Sequence, residues 1–336
     1  MGRPADGKAP ATTYRRRMAT ELFEDADLEL ERAQAALLER CAPDASVRRI
    51  RWRGGETQVV ELGEGPVLIL VHGGGDAGFN WYPVLGALAE GRRVVIVDRP
   101  GHGLADPFDY RGVGILAHAT AFLTDVLHAL GVERAELAGC SIGGLWSTAF
   151  ALEAPDRVER LSLVGSPPGL TRSAPRMLGL AFGLPLVGHL VGRRLLANPT
   201  RDGSRAFWGR LLVAHPERLA DDFLDVDVAH TRRNRDSIVS LMCEVATPTG
   251  VRRDLVLGER WRGLEVPTLA LFGEDDVFLS PDGWRAWKAL AAASPFIELL
   301  RVPRAGHMPW LDEPERVVCE LDRFHVRASL TGRSTT

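Results

Sequence analysis

The chain has 336 residues, 45% of them apolar and 25% charged, with a formal net charge of −3, which suits one large domain with an insertion, or two domains, around a substantial core. This balance excludes a nucleic-acid partner or a highly charged substrate, and a chain whose lysines are Lys8 and Lys288 alone is not built for phosphate-loop chemistry. Cys41, Cys140, Cys243 and Cys319 are far apart and lack metal-site spacing, and the first residues lack an apolar signal core, so a reduced, cytoplasmic protein with no metal and no membrane span is expected.

Residues 1 to about 17 read as a disordered tail whose Arg15-Arg16-Arg17 run is a solvated feature, and 18 to about 41 as a helix, with Leu22, Ala26, Leu30, Ala33 and Leu37 at three- and four-residue spacing. Two uses are open for that helix: packing on its own domain, or a homodimer contact or lid. From 46 the pattern becomes strand, Gly54-Gly55 turn and strand, a β-hairpin opening the main domain. Buried-strand runs then alternate with helical stretches: Val67 to Val71, Val94 to Val97, Ala135 to Ala138 and Leu161 to Val164. Continuous apolar strands separated by helices predict a mostly parallel sheet covered on both faces. From 166 to 262 the alternation stops in favour of helices, before Thr268 to Phe272 and Ile297 to Val302 restore strands. The expected organisation is an N-terminal extension (1–45), an α/β core (46–165 and 263–328), a helical cap (166–262) and a tail (329–336).

Gly73-Gly74-Gly75-Asp76-Ala77-Gly78 satisfies the dinucleotide fingerprint, with Asp98 ending the next strand. The preceding hairpin, the leading His72 and the lack of a Tyr-x-x-x-Lys pair speak against a cofactor there. The same loop has a second use, since a glycine backbone N–H aimed at a nucleophile stabilises an oxyanion. The nucleophile is Ser141, in Gly139-Cys140-Ser141-Ile142-Gly143 between a strand and a helix. A sharp strand-to-helix turn needs small residues two places to either side, which Ser141 has and Cys140, flanked by Ala138 and Ile142, does not. An activated serine needs a base and a group to orient it. Asp275 and Asp276 follow one later strand and His307 follows the next.

In these segments, together with Asp98-Arg99-Pro100-Gly101-His102-Gly103, the chain resembles the α/β-hydrolase superfamily over about 46–328, in its cap-bearing branch of serine esterases, lactonases and carbon–carbon bond hydrolases. The resemblance implies Ser141 as nucleophile, His307 as base and Asp276 as orienting acid, with Asp275 in reserve. It implies oxyanion donors at Ile142 and Gly74, no cofactor, and a turn rather than chemistry for His102 and Asp98. Trp81, Trp146 and Trp310 lie near the active-site loops in sequence and are candidate substrate platforms, with packing as the alternative. In the cap, Leu178, Leu180, Phe182, Leu184, Leu186 and Leu190 suggest an apolar lining, with Phe182 as a binding residue.

The function expected is acyl transfer to Ser141 from a small or medium hydrophobic ester or lactone. The runner-up is a carbon–carbon bond hydrolase, although those enzymes usually carry proline where Asp76 stands and often asparagine where Cys140 stands. Haloperoxidase or perhydrolase chemistry uses the same triad, and a ligand receptor of this fold is a non-enzymatic alternative.

Overall fold

The computed structural model describes the backbone of residues 11–184 and 187–331, and the side chains of 24–184 and 187–325. Of the segments read from sequence, residues 1–10, 332–336 and Leu186 lie outside the described residues.

Helix α1 (Ala11–Cys41) leads into the hairpin β1 (Ser46–Trp52) and β2 (Gly55–Leu62), then β3 (Val67–Val71), α2 (Tyr82–Leu88), β4 (Arg93–Val97), α3 (Ile115–Leu130), β5 (Ala135–Gly139), α4 (Ile142–Glu153) and β6 (Val158–Val164). A helical segment follows, with α5 (Arg176–Phe182), α6 (Gly188–Leu195), α7 (Arg201–Leu211), α8 (Asp221–Val245) and the short hairpin β7 (Ala246–Thr247) and β8 (Gly250–Val251). The chain returns through β9 (Thr268–Gly273), α9 (Pro281–Ala293), β10 (Ile297–Val302), α10 (Pro309–Asp312) and α11 (Pro314–Thr331). The first helix therefore begins earlier than the sequence periodicity places it, and α11 runs past the expected end of the core at 328.

Eight strands form one sheet in the order β1-β2-β4-β3-β5-β6-β9-β10. The first hairpin pairs antiparallel and β2 meets β4 antiparallel, while every other neighbour is parallel. Alternate residues of each strand feed opposite faces. Ile69, Val71 and Leu137 pack with Phe122, Trp146 and Trp287 from α3, α4 and α9. Leu68, Leu70 and Ala138 pack on the other face with Leu37, Leu85 and Leu321 from α1, α2 and α11. Covering both faces explains why the strands lack a polar side in sequence.

The chain leaves β3 toward β4 on one side and returns through β5 on the other, so strand order reverses between β3 and β5. Loops at such a point diverge to opposite faces and open a crevice at the carboxyl ends of the strands. The glycine loop after β3 and Ser141 after β5 flank that crevice. The helices between β6 and β9 supply much of its wall.

From Ala26 on, helix α1 directs its stripe at its own chain, the side chain of Leu22 lying outside the described residues. Leu30 and Leu37 are fully buried, Arg40 pairs with Asp222 of α8 at 2.5 Å, and Arg232 and Arg233 of α8 pair with Glu29 and Asp27. The extension thereby ties the inserted helices to the sheet.

Candidate active site

Ser141 lies between β5 and α4 with φ 52° and ψ −121°, a conformation that non-glycine residues rarely adopt. The flanking glycines let it persist. A Cβ on Gly143 would sit 2.2 Å from the Val71 carbonyl oxygen, and one on Gly139 would sit 2.6 Å from that of Gly143. The strained turn lifts Ser141 onto the wall of a cavity of about 450 Å³, while Cys140 faces inward and is fully buried. Burial pushes the Cys140 thiol well up from its ordinary pKa, so it is held protonated and unreactive.

His307, in the loop after β10, lines the same cavity. Its Nδ1 lies 2.9 Å from both carboxylate oxygens of Asp276, in the loop after β9. Asp275 is exposed, so of the two adjacent carboxylates Asp276 meets the imidazole. Two residues not singled out from sequence hold Asp276. Ser166 donates from its hydroxyl at 2.7 Å and its backbone N–H at 3.1 Å, and the Phe278 N–H donates at 2.9 Å. Burial acts to raise the Asp276 pKa, but the nearby His307, its hydrogen bond and those from Ser166 outweigh burial and hold the carboxyl below its ordinary range. The Phe278 ring stacks on His307 with centroids 4.1 Å apart. This fixes the imidazole plane, and the buried Nε2 is left without a hydrogen-bond partner. Such a nitrogen can accept a proton from a group entering the cavity.

The loop carrying His307 is braced by the inserted helices. Asp312 accepts from the N–H groups of Gly306 at 2.8 Å, Ala214 at 2.9 Å and His215 at 2.9 Å, and the Met308 N–H donates to Leu212 at 2.8 Å. A carboxylate five residues after a histidine was visible in sequence, but its partners come from a segment nearly a hundred residues earlier.

Ile142 supplies the first N–H of α4, which has no carbonyl one turn before it and sits at the positive end of the helix dipole. Gly74 faces the same space, and a Cβ there would meet Ile142 at 2.6 Å. His102 lies between two carbonyls, Nδ1 2.9 Å from the Pro100 oxygen and Nε2 3.0 Å from that of Gly74, and a neutral ring donates to one of them. Burial first, then the charge of Arg99, holds the His102 pKa well below its ordinary value, so the ring stays neutral. Arg99 is itself buried, donating to the His72 and Gly73 oxygens with its guanidinium over the Trp146 ring. Asp98 accepts from Gly78 at 2.9 Å and Leu104 at 3.0 Å. Both its oxygens are committed inside the protein, which removes the ribose contact of a dinucleotide site.

Three expected substrate contacts require correction. Trp81, Trp146 and Trp310 are fully buried and stand outside the cavity wall. Trp81 and Trp310 stack at 3.9 Å and 7°, and the Trp310 indole donates to the Asn80 oxygen at 2.8 Å, clamping the end of the glycine loop to the histidine loop. Trp146 packs under Arg99 and edge-on to Phe122. Proximity in sequence to an active-site loop did not distinguish the inner side of that loop from the outer.

Phe182 does line the cavity, with Leu178 and Ala181. Leu180 is exposed because helical spacing turns only one face of α5 inward, Leu190 on α6 is exposed as well, and Leu184, beyond the end of α5, stands off the wall. The other wall is α8, through Thr231, Ile238, Met242 and Val245.

A sequence model of the α/β hydrolase fold matches residues 66–314. The chain belongs to the α/β hydrolase fold family. It is 29% identical over 255 residues, 74% of this chain and 83% of the relative, to a 2-hydroxy-6-oxononadienedioate/2-hydroxy-6-oxononatrienedioate hydrolase of Comamonas testosteroni. It is likewise 29% identical over 256 residues, with the same coverage, to a 2-hydroxy-6-oxo-6-phenylhexa-2,4-dienoate hydrolase of Burkholderia cepacia. Among solved structures, a carboxylesterase of Bacillus subtilis superposes with a TM-score of 0.71 at 23% identity, covering 90% of this chain and 99% of the other. The matched relatives are thus named as hydrolases of oxo-dienedioates and oxo-dienoates, and the superposed structure as a carboxylesterase. Among the described residues no helix is long and apolar enough to cross a membrane.

Proposed function

We propose that the protein is a serine hydrolase that cleaves small or medium esters or lactones of hydrophobic character through an acyl-enzyme. The Ser141 hydroxyl attacks the carbonyl carbon as His307 Nε2 takes its proton, and Asp276 stabilises the imidazolium that forms. The N–H groups of Ile142 and Gly74 face the developing oxyanion, each such donor contributing about 10²–10³ in rate. The imidazolium then protonates the departing alkoxide, and a water activated by the same nitrogen releases the acid. No metal or organic cofactor takes part. The segment between β6 and β9 acts as the cap that selects the substrate. Four free, well-separated cysteines support a cytoplasmic site of action.

The composition of the cavity wall carries the choice of substrate. Around Ser141 and His307 stand Leu178, Phe182, Ile238 and Met242, and no arginine or lysine among the described residues reaches the cavity. Its volume of about 450 Å³ suits a small or medium ligand. The second reading, carbon–carbon hydrolysis, draws on the two relatives named above. The dienoate and dienedioate in those relatives' names carry one or two carboxylates, which a wall without a cation serves poorly.

Turnover of a graded series of 4-nitrophenyl esters, run beside 2-hydroxy-6-oxo-6-phenylhexa-2,4-dienoate with the wild type and Ser141→Ala, separates the readings. Ester hydrolysis dominant in the wild type and abolished in the variant is expected. Faster cleavage of the dienoate would move the assignment to the second reading, and wild-type ester turnover retained by Ser141→Ala would end both.

A further inference from the structure

The cavity is not apolar throughout. Asp227, Thr231, Ile238, Met242 and Val245 recur along one face of α8, and that face forms one wall. The Met242 end approaches the oxyanion loop, where the methionine sulfur lies 3.2 Å from the position of a Cβ on Gly74. At the other end the wall turns acidic, with Asp227 on α8 and Ser204 on α7.

Asp227 is only 8% exposed, and its Oδ2 accepts from the Ser204 hydroxyl. The Trp208 indole N–H stands near enough to lower the Asp227 pKa without completing a hydrogen bond. Asp227 forms no ion pair among the described residues, although most other acidic groups of the inserted helices are matched to arginines, among them Asp221, Asp222, Asp225 and Asp236. Asp76 adds to the same wall from the core side. It is 2% exposed and bonded through Oδ2 to Asn80, and its buried Oδ1 completes no hydrogen bond, with His72 Nδ1 3.5 Å away and the charge of Arg99 partly offsetting it. That oxygen lies 3.0 Å from a Cβ position on Gly73 that is itself 3.5 Å from the Ser141 Cβ, so this acidic group stands close to the nucleophile.

A buried carboxylate without a countercharge is costly, and a cavity is where a ligand can supply one. We propose that this cavity binds substrates with a hydrophobic body and a protonated amine, the ammonium group seated against Asp227 with Asp76 adding to the negative field. Thr231, one turn along α8, and Ser204 offer hydroxyls to the same ammonium group. Burial pushes the Asp227 carboxyl up to about 6, which leaves most of it ionised at neutral pH. The inference rests on the ester-hydrolase reading for its chemistry, but the recognition it describes is measurable without turnover.

Calorimetric binding of hexylamine and of 1-hexanol to the full chain tests the recognition directly. The protonated amine is expected to bind at least about tenfold tighter than the alcohol, and Asp227→Asn, which keeps an acceptor for Ser204, to erase that difference while leaving the alcohol's affinity unchanged. Equal affinities in the wild type, or an amine preference that survives in Asp227→Asn, would overturn the proposal even if the variant were poorly folded, since the first comparison needs no variant. The same contrast applies to kcat/KM for 4-nitrophenyl 6-aminohexanoate against 4-nitrophenyl hexanoate. Absence of hydrolysis of both esters alongside selective amine binding would overturn the ester reading and support the amine site.

Discussion

Ser166→Ala removes one hydroxyl donor from the Asp276 carboxylate and leaves Ser141 and His307 in place. The hydroxyl donates to Asp276 Oδ2 at 2.7 Å inside a fully buried cluster, whereas the Ser166 N–H, the Phe278 N–H and the His307 contact remain after the substitution. A hydrogen bond to a buried charge is worth about 1.5–3 kcal/mol, so the variant should lose about that much stability at neutral pH. The sign with pH follows from the lowered Asp276 pKa. A carboxyl depressed on folding contributes stability that is full above its unfolded value, near 4, and is lost as pH falls through the folded value. Removing Ser166 Oγ raises the folded value, so the gap between wild type and variant should be widest at neutral pH and narrow in acid. Urea unfolding from pH 3 to 8 measures this directly. Looser positioning of His307 should lower kcat by about tenfold, equivalent to roughly 1.4 kcal/mol of barrier, with KM little changed. Equal stability and equal kcat for the two proteins at pH 7 would refute the role assigned to Ser166. A loss of stability that does not change with pH would refute the linkage to Asp276.

Gly143→Ala places a methyl group 2.2 Å from the Val71 oxygen, a clash against main chain that no rotamer relieves, and should leave little soluble folded protein at 37 °C by expression and circular dichroism. Trp310→Phe should lower stability by about 1–3 kcal/mol through the lost bond to Asn80 and poorer stacking on Trp81, with KM for a neutral ester unchanged, because neither ring reaches the cavity. Phe182→Ala should instead shift the preferred acyl chain to longer esters, read as the order of kcat/KM across the series.

Much of the sheet was legible because parallel strands buried on both faces leave long apolar runs, as in Val67 to Val71 and Val94 to Val97. The turn at Ser141 was legible for a steric reason, since only glycine fits where Gly139 and Gly143 stand. The resemblance pointed to Asp276 over Asp275 as the partner of His307, but the residues alone did not decide it, because one residue of shift in a loop determines which carboxylate is buried. Residues that act through long-range contacts were hidden for a related reason. Ser166 reaches Asp276 across 110 positions, and nothing local to either marks the pairing. The tryptophans misled because a large aromatic near an active-site loop is required equally by a platform and by the packing behind it. The acidic end of the cavity had a visible sequence signal, the alignment of Asp227 with Thr231, Ile238, Met242 and Val245 on one helical face, but only the packed structure shows that this face looks onto the nucleophile's cavity.

The central claim is that Ser141 is an activated nucleophile served by His307 and Asp276. Covalent modification by a fluorophosphonate, mapped by peptide mass spectrometry in the wild type, Ser141→Ala and Asp276→Asn, tests it most directly. One modified residue, Ser141, is expected, with labelling abolished in the first variant and slowed by about 10⁴ in the second. Modification at another residue, or wild-type labelling rates in Asp276→Asn, would contradict it.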